Sequence, residues 1–251
     1  MPAFQPESVL TKAGASPGRG RAGMLYRDLI PSRLGGRYIA SHITIPDGGP
    51  VADWVHYHRI ALQMIFVRRG WVRVVYEGQG APFVMTEGDL VLQPPEIRHR
   101  VLESSAGLEV VEISAPSFHE TFADHDMALP SGERPERVYS GQRFLHHVAA
   151  ETPWTPFNVA EAQETAITSA TAGLCDVRTI RPGGASTIGF APHDGELLFG
   201  FVLDGSASLN GNPLEAADAF VMQPGEPWTL GGMSADFRLL QVTTARLDGP
   251  T

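Results

Sequence analysis

The sequence predicts an all-β protein made of two similar domains, and three observations support this prediction. From about Met24 onward, short runs of β-branched, aromatic and leucine residues alternate with turns at a spacing of roughly 8 to 12 residues, as in β-sandwiches and barrels. The 27 Gly and 20 Pro supply the turns, and helix signals are few. The second half of the chain also repeats the landmarks of the first half in the same order.

The strands of the first half follow from runs of apolar and β-branched residues between turn residues. They are predicted at 38–45, 51–58, 64–67, 71–76, 89–93 and 108–113. One helix is predicted over residues 117–128, because Ser117 stands at a capping position and Glu120 follows at the spacing of a capping box.

The repeat rests on matched segments. Residues 36–46 correspond to 173–182, and each segment ends in a Pro that a Gly pair soon follows. The segment Phe66-Val-Arg-Arg-Gly corresponds to Phe201-Val-Leu-Asp-Gly at an offset of 135 residues. Residues 89–94 correspond to 218–224 at offsets of 129 to 130, which a shorter hairpin in the second copy explains. Two β domains in tandem follow.

The domain boundaries are set by composition. A polar stretch rich in Pro, Gly and Ser predicts a linker at 129–156, between an N-terminal domain at 24–128 and a C-terminal domain at 157–251. Residues 1–23 are predicted to be a flexible tail. Their Gly18-Arg-Gly-Arg-Ala-Gly matches the dinucleotide-binding pattern, but no predicted strand precedes it, so a solvated tail is the better interpretation.

Composition limits the function. The chain has 19 Lys+Arg and 28 Asp+Glu, a formal charge of −9, which argues against nucleic acid or anionic membrane partners and favours a small-molecule ligand. The only lysine, Lys12, lies in the predicted tail, so Schiff-base and Walker-type enzymes are excluded. Cys175 is the only cysteine, which excludes an intrachain disulfide and a Cys-rich zinc site.

The expected location is the cytoplasm. No apolar run reaches the roughly 18 to 20 residues of a membrane span, and the N-terminus lacks the basic and apolar regions of a signal peptide. The lone cysteine agrees with a reducing compartment. The preference for arginine over lysine suggests a GC-rich bacterial genome.

Histidines form the strongest cluster of chemically active residues. On a strand, residues two apart share a face, so His56 and His58 would present two imidazoles to one point. His99, one hairpin away, would add a third imidazole. Three neutral imidazoles with an amide or carboxylate oxygen suit a divalent transition metal. Taken alone, a His-x-His pair is more often just two ordinary polar side chains.

The spacing around these histidines resembles the first motif of the cupin superfamily. Gly49 stands seven residues before His56, where the cupin pattern has six. Four residues separate His58 from Gln63, and six separate Gln63 from Gly70, as in the cupin pattern.

The second cupin motif resembles residues 88–99, with Pro95 in place of the usual glycine and no trailing asparagine. With the repeat included, the resemblance covers most of residues 30–245. It implies a bicupin: two tandem cupin barrels (double-stranded β-helix or jelly roll) with few short helices, of which the C-terminal copy is degenerate.

Carried over residue by residue, the resemblance implies metal ligands at His56, His58, Gln63 and His99. It implies one divalent transition metal, with zinc and iron as first candidates and nickel, copper or manganese as alternatives. Gln63 replaces the usual glutamate, so the ligand set loses a negative charge and favours a Lewis-acid role over an oxidised centre. Alternatively, Gln63 only hydrogen-bonds a ligating histidine or a water molecule.

Apolar side chains next to these positions predict a substrate pocket. Trp54 shares the parity of His56, and Ile65 and Val67 share that of Gln63, so all three could line a pocket above the metal. A filled barrel core is the alternative.

In the second copy the same offsets lead to Ala191, His193, Leu198 and Thr229. That copy is therefore predicted to be structural, covering the first domain or mediating a homodimer.

The leading hypothesis is a metal-dependent enzyme acting on a small oxygen-rich metabolite, phenolic or polyketide-like, by Lewis-acid cyclisation or isomerisation or by dioxygenation. Residues 75–80 with Gln93-Pro-Pro and His99 resemble small bacterial cupins grouped with polyketide cyclases. No catalytic acid or base is identified. The alternative is a non-catalytic, metal-containing bicupin that binds or senses a small molecule.

Overall fold

The computed structural model describes residues 1–14, 17–20 and 23–247, and over these residues the protein is almost entirely β. One short helix, α1 (Ile167–Ala170), and a 3-10 turn (Ala149–Glu151) interrupt the strands. Parts of the predicted tail and C-terminal domain, residues 15–16, 21–22 and 248–251, lie outside the described residues. The helices of the described ranges are too short or too polar to cross a membrane.

The first half contains the six predicted strands, five of them to within two residues at each end, whereas the strand predicted at 51–58 is shorter and begins at His56; further short strands were not predicted. The strands of the first half are β1 (Val9–Thr11), β2 (Gly18–Arg19), β3 (Leu25–Asp28), β4 (Ile39–Ile45), β5 (Gly49–Pro50), β6 (His56–His58), β7 (Leu62–Arg69), β8 (Trp71–Tyr76), β9 (Phe83–Thr86), β10 (Leu90–Leu92), β11 (His99–Ser104), β12 (Leu108–Ala115), β13 (Thr121–Ala123), β14 (Val138–Tyr139), β15 (Gln142–Arg143) and β16 (Leu145–His147).

The second half contributes ten strands within the described residues. They are β17 (Thr155–Phe157), β18 (Ala160–Glu164), β19 (Cys175–Arg181), β20 (Thr187–Phe190), β21 (Leu197–Asp204), β22 (Ser206–Leu209), β23 (Asn212–Glu215), β24 (Ala219–Met222), β25 (Trp228–Gly231) and β26 (Arg238–Thr244).

The two halves form two antiparallel barrels of matching topology. The first barrel combines a sheet in the order β16-β10-β7-β12-β4-β3-β2 with a sheet in the order β13-β6-β11-β8-β9, and β5 also pairs with β11. The second barrel combines β1-β24-β21-β26-β19-β18-β17 with β20-β25-β22-β23. Strand for strand, the long sheets have the same order, which confirms the internal repeat as a structural one.

Each long sheet is completed by a strand from outside its own domain. The linker strand β16 pairs with β10, with Leu90 opposite His147. The N-terminal strand β1 pairs with β24 of the second barrel, with Val9 opposite Val221. This part of the predicted flexible tail is therefore a paired strand. A strand edge exposes unpaired backbone groups, and a short flanking strand is a common way to cover it.

The predicted helix at 117–128 is wrong. Part of it forms β13, which pairs antiparallel with β6 so that Thr121 lies opposite His58 and Ala123 opposite His56. The capping signal is a local one, whereas pairing with the open edge of β6 satisfies several backbone groups together. The consequence for the site is that a threonine hydroxyl comes next to His58.

The two faces of β7 serve different cores. Leu62, Met64 and Phe66 belong to a buried cluster shared by both halves, together with side chains of β21 such as Phe199 and Phe201. The alternate residues, from Gln63 onward, face the interior of the first barrel. The strand is buried on both sides because one face packs on the other domain and the other face lines the barrel.

The interior of the second barrel is filled by aromatic rings. Gly200 makes room for Phe220, because a Cβ at residue 200 would lie 2.2 Å from the Phe220 ring. Trp228 stacks on Phe190 with ring centroids 3.7 Å apart, and both Phe220 and Trp228 are buried. This packing differs from that of the first barrel, which contains a cavity.

Candidate metal site and cavity

Three histidines meet inside the first barrel, as their spacing predicts. His56 and His58 share a face of β6, and His99 begins β11 directly opposite His56. The ring centroids of His56 and His99 are 4.3 Å apart, and that of His58 lies 5.3 Å from each. One ligand nitrogen from each residue lies within 4.8 Å of the other two.

Hydrogen bonds at Nδ1 orient the three rings. His56 Nδ1 donates to the Trp54 carbonyl at 2.9 Å, and His99 Nδ1 donates to the Ile97 carbonyl at 3.0 Å. His58 Nδ1 lies 2.9 Å from Thr121 Oγ1. In its neutral form, an imidazole that donates through Nδ1 keeps its lone pair on Nε2, which is the form that binds a metal. The three residues therefore fit a divalent transition metal.

Gln63 lies on β7 beside this cluster, and it is buried. Its Nε2 donates to Glu112 Oε1 at 2.9 Å, so the amide is oriented by a carboxylate on the neighbouring strand β12. Direct ligation by Gln63 stays a prediction, as does the alternative that it only supports the ligands.

A cavity of about 540 Å³ opens next to the histidines. The predicted pocket residues Trp54 and Ile65 line it, and Trp54 is 44% exposed. Val67, two residues farther along β7, is fully buried and packs in the core of the same barrel rather than on the cavity wall. Most of the wall is apolar, with Met24, Ile43, Val72, Met85, Leu108 and Val110 among its side chains.

Tyr76 forms a wall behind His99. Its ring stacks on the His99 imidazole with centroids 5.5 Å apart, and its hydroxyl accepts a hydrogen bond from Gln93 Nε2 at 2.7 Å. Burial raises the pKa of Tyr76 above its usual value, so the hydroxyl stays protonated at neutral pH. This side chain therefore supplies a neutral surface next to the imidazoles.

Sequence reasoning missed several residues that support the histidines. Asp53 Oδ1 lies 3.5 Å from His56 Nδ1, and Asp53 Oδ2 accepts a hydrogen bond from the Val101 amide. The His119 ring meets that of His58 edge to face at 5.4 Å. Asp53 is three residues from the motif and His119 more than sixty from His58, so no local pattern marks either contact.

The second barrel replaces the site with apolar residues. Its β20 and β25 place Phe190 opposite Trp228, where the first barrel has His56 opposite His99, and in its long sheet Leu198 faces Met222 where the first barrel has Gln63 and Gln93. His193, which the 135-residue offset aligns with His58, lies in a loop and donates through Nε2 to the Met222 carbonyl. The second copy is degenerate at the site.

Comparison with known proteins shows a likeness of structure. No family model and no curated protein matches the chain by sequence. Oxalate decarboxylase from Bacillus subtilis superposes with a TM-score of 0.67 at 12% identity, over 97% of this chain and 77% of that chain. The protein Ylba from E. coli superposes with a TM-score of 0.65 at 13% identity, over 100% of this chain and 96% of that chain. With two barrels of matching strand order and this likeness along nearly its whole length, the protein has the bicupin fold.

Proposed function

We propose that the first barrel is a metal-dependent site for a small, mainly apolar molecule that carries oxygen donors. The observation that supports this most directly is the arrangement of His56, His58 and His99: each Nδ1 is engaged in a hydrogen bond, and the rings converge beside a cavity large enough for a small metabolite.

Four residues would bind and orient the metal ion. His56, His58 and His99 would hold the ion, while Gln63 offers an amide oxygen from β7. When bound, a divalent transition metal supplies Lewis-acid polarisation of a carbonyl or enolate oxygen, and iron adds dioxygen chemistry. Zinc and iron remain our first candidates; manganese gains weight because the similar oxalate decarboxylase has Mn(II) centres.

The cavity walls favour a ligand with an apolar or aromatic body. Trp54, Ile65 and the aliphatic side chains around them present an apolar surface that would provide dispersion contacts to such a ligand. A phenolic or polyketide-like molecule that undergoes cyclisation, isomerisation or dioxygenation fits these walls. A binding or sensor protein without turnover would use the same walls, so turnover has to be measured.

The experiment is elemental analysis of the untagged protein, of the double variant His56→Ala, His58→Ala, and of the control His125→Ala, which changes an exposed histidine. We expect about one metal ion per chain in the wild type and the control, and none in the double variant. Absence of metal from the wild type, even after soaking with zinc, iron, nickel, copper and manganese, would contradict the proposal.

A further inference from the structure

Glu112 places a carboxylate inside the cavity of the first barrel, where sequence reasoning assigned no role to it. We propose that Glu112 recognises a hydrogen-bond donor on the ligand, so that the ligand is an apolar-bodied molecule that presents a hydroxyl or amine group, and not a carboxylate, to Glu112. This inference deepens the proposed function and rests on it for the identity of the cavity as the binding site.

The strand register points the Glu112 side chain inward. Glu112 lies opposite Ile65, and Ser114 lies opposite Gln63, across the β12–β7 pair. Since directly opposed residues project from the same face of a sheet, Glu112 shares the interior face with the two β7 side chains that line the cavity. Glu112 is itself part of the cavity lining.

The hydrogen bonds of Glu112 leave one oxygen for a ligand. Oε1 accepts from Gln63 Nε2 at 2.9 Å and from Ser114 Oγ at 3.2 Å. Within the described residues, Oε2 accepts no hydrogen bond and no Lys or Arg forms an ion pair with Glu112. Oε2 is not fully enclosed by other protein atoms. It therefore faces accessible space on the cavity side.

A carboxylate on a mostly apolar wall is costly unless a donor approaches it. The barrel itself does not need the charge, because the matching position of the second barrel, opposite Gly200, is the neutral Gln241. Arg100, the cation among the described lining residues, is exposed to solvent. A ligand hydroxyl or amine would satisfy Oε2, whereas a ligand carboxylate would face a like charge.

The test compares three probes of one shape: 2-naphthol, 2-methoxynaphthalene and 2-naphthoate. Calorimetric titrations use the full chain and its Glu112→Gln variant, which introduces the residue of the second barrel. In the metal-free protein, a charge-assisted hydrogen bond leads us to expect that the wild type binds 2-naphthol about tenfold more tightly than the methoxy compound and binds 2-naphthoate most weakly. In Glu112→Gln we expect the preference for the hydroxyl to fall severalfold and 2-naphthoate binding to strengthen about tenfold.

The control variant Glu103→Gln changes a carboxylate that forms a surface ion pair with Arg73, and it should bind all three probes as the wild type does. Each comparison is made with one zinc equivalent and again after chelation, with thermal melting to verify that the samples are folded. Equal probe preferences in the wild type and Glu112→Gln, or a difference confined to the zinc-loaded pair, would overturn the inference. Failure of the wild type to bind metal would contradict the proposed function instead, because the probe titrations after chelation do not depend on metal.

Discussion

At the scale of single residues, the orientation of the imidazoles is as informative as their identity. Thr121, from a strand that sequence reasoning assigned to a helix, contacts His58 Nδ1. Partners of ligating histidines fix the tautomer and the ring orientation, and their loss typically weakens metal binding by about 10- to 100-fold. Thr121 therefore belongs to the candidate site although it does not face the metal position directly.

We expect Thr121→Val to weaken zinc binding at least about tenfold in a competition titration with a chromophoric chelator. The change keeps the shape and β propensity of the side chain, so the melting temperature of the metal-free protein should stay the same. Thr187→Val, an exposed threonine on β20 of the second barrel, is the matched control. Unchanged zinc affinity in Thr121→Val would show that this hydroxyl does not orient His58.

The residues that could be predicted are those with a local pattern. The period of a strand brings His56 and His58 together, and the cupin-like spacing adds His99 and Gln63. Asp53, Thr121 and Glu112 could not be predicted, because each contact depends on which strands pair and in what register. Val67 shows the same limit. It faces the interior of the first barrel, as its parity predicts, but its depth within the barrel places it in the core and not on the cavity wall.

At the scale of elements, the same strand order produces one open barrel and one filled barrel. The difference follows from side-chain size at matched positions, since Phe220 and Trp228 occupy the second interior. At Gly200, an added Cβ would overlap the Phe220 ring. Steric overlap at such a point has few ways to relax, because neighbouring strands hold the backbone on both sides.

Gly200→Ala should lower the free energy of unfolding by about 1 to 3 kcal/mol, as other overpacked cores do. The matched control is Gly189→Ala, a strand glycine of the same barrel where a Cβ would meet nothing within 4 Å. Urea denaturation monitored by tryptophan fluorescence measures both. Equal stability of the two variants would mean that the Phe220 ring moves aside without cost.

The six strands predicted for the first half are found, whereas the helix prediction at 117–128 failed. The strands follow from apolar alternation over several residues, a signal that tertiary packing reinforces. The helix prediction relied on one capping box, and β13 shows that the open edge of β6 was the stronger partner. The edge strands β1 and β16 were also missed, because what makes them strands is a partner far away in the chain.

At the scale of the whole molecule, a buried ion pair links the two barrels. Arg37 forms a two-point ion pair with Glu196 across 159 residues of sequence and also donates to the carbonyls of Pro2 and Leu247. Glu196 Oε2 accepts from the Leu247 amide at 2.9 Å. Both termini of the described chain are thus bound to one buried charge pair.

Removing one charge should leave the other buried without its counterion. We expect Glu196→Gln to lower the free energy of unfolding by about 3 to 5 kcal/mol, measured by chemical denaturation. Glu161→Gln, which breaks a much more exposed ion pair with Arg181, should cost less than about 1 kcal/mol. A small effect of Glu196→Gln would show that the pair is solvated in solution.

Glu109 should make the stability depend on pH in the acid range. Hydrogen bonds from His42 and then Arg68 lower the pKa of Glu109 to about 2, against partial burial, which raises it. A carboxyl with a lowered pKa stabilises the fold above its unfolded-state value of about 4.3. This stabilisation is lost as the pH falls towards 2. Since Arg68 also donates to the Leu203 carbonyl, the loss should loosen contacts between the barrels.

The measurement is urea unfolding between pH 2 and pH 6 for the wild type and Glu109→Gln. The wild type should lose stability steadily as the pH falls through the lower half of this range, and the variant should show a shallower dependence. Parallel curves would assign the acid sensitivity to other carboxyl groups.

Each long sheet takes an edge strand from outside its own domain, and this affects how the chain folds during synthesis. Val9 pairs with Val221, so β1 leaves the ribosome more than two hundred residues before the strand with which it pairs. Pairings of such long sequence separation are slow to form. The first barrel can close once β16 has emerged, but a fragment that begins after the linker would lack β1. We therefore expect the C-terminal half expressed alone to expose the edge of β24 and to aggregate. An added peptide that contains β1 should reduce this aggregation, because it can pair with β24.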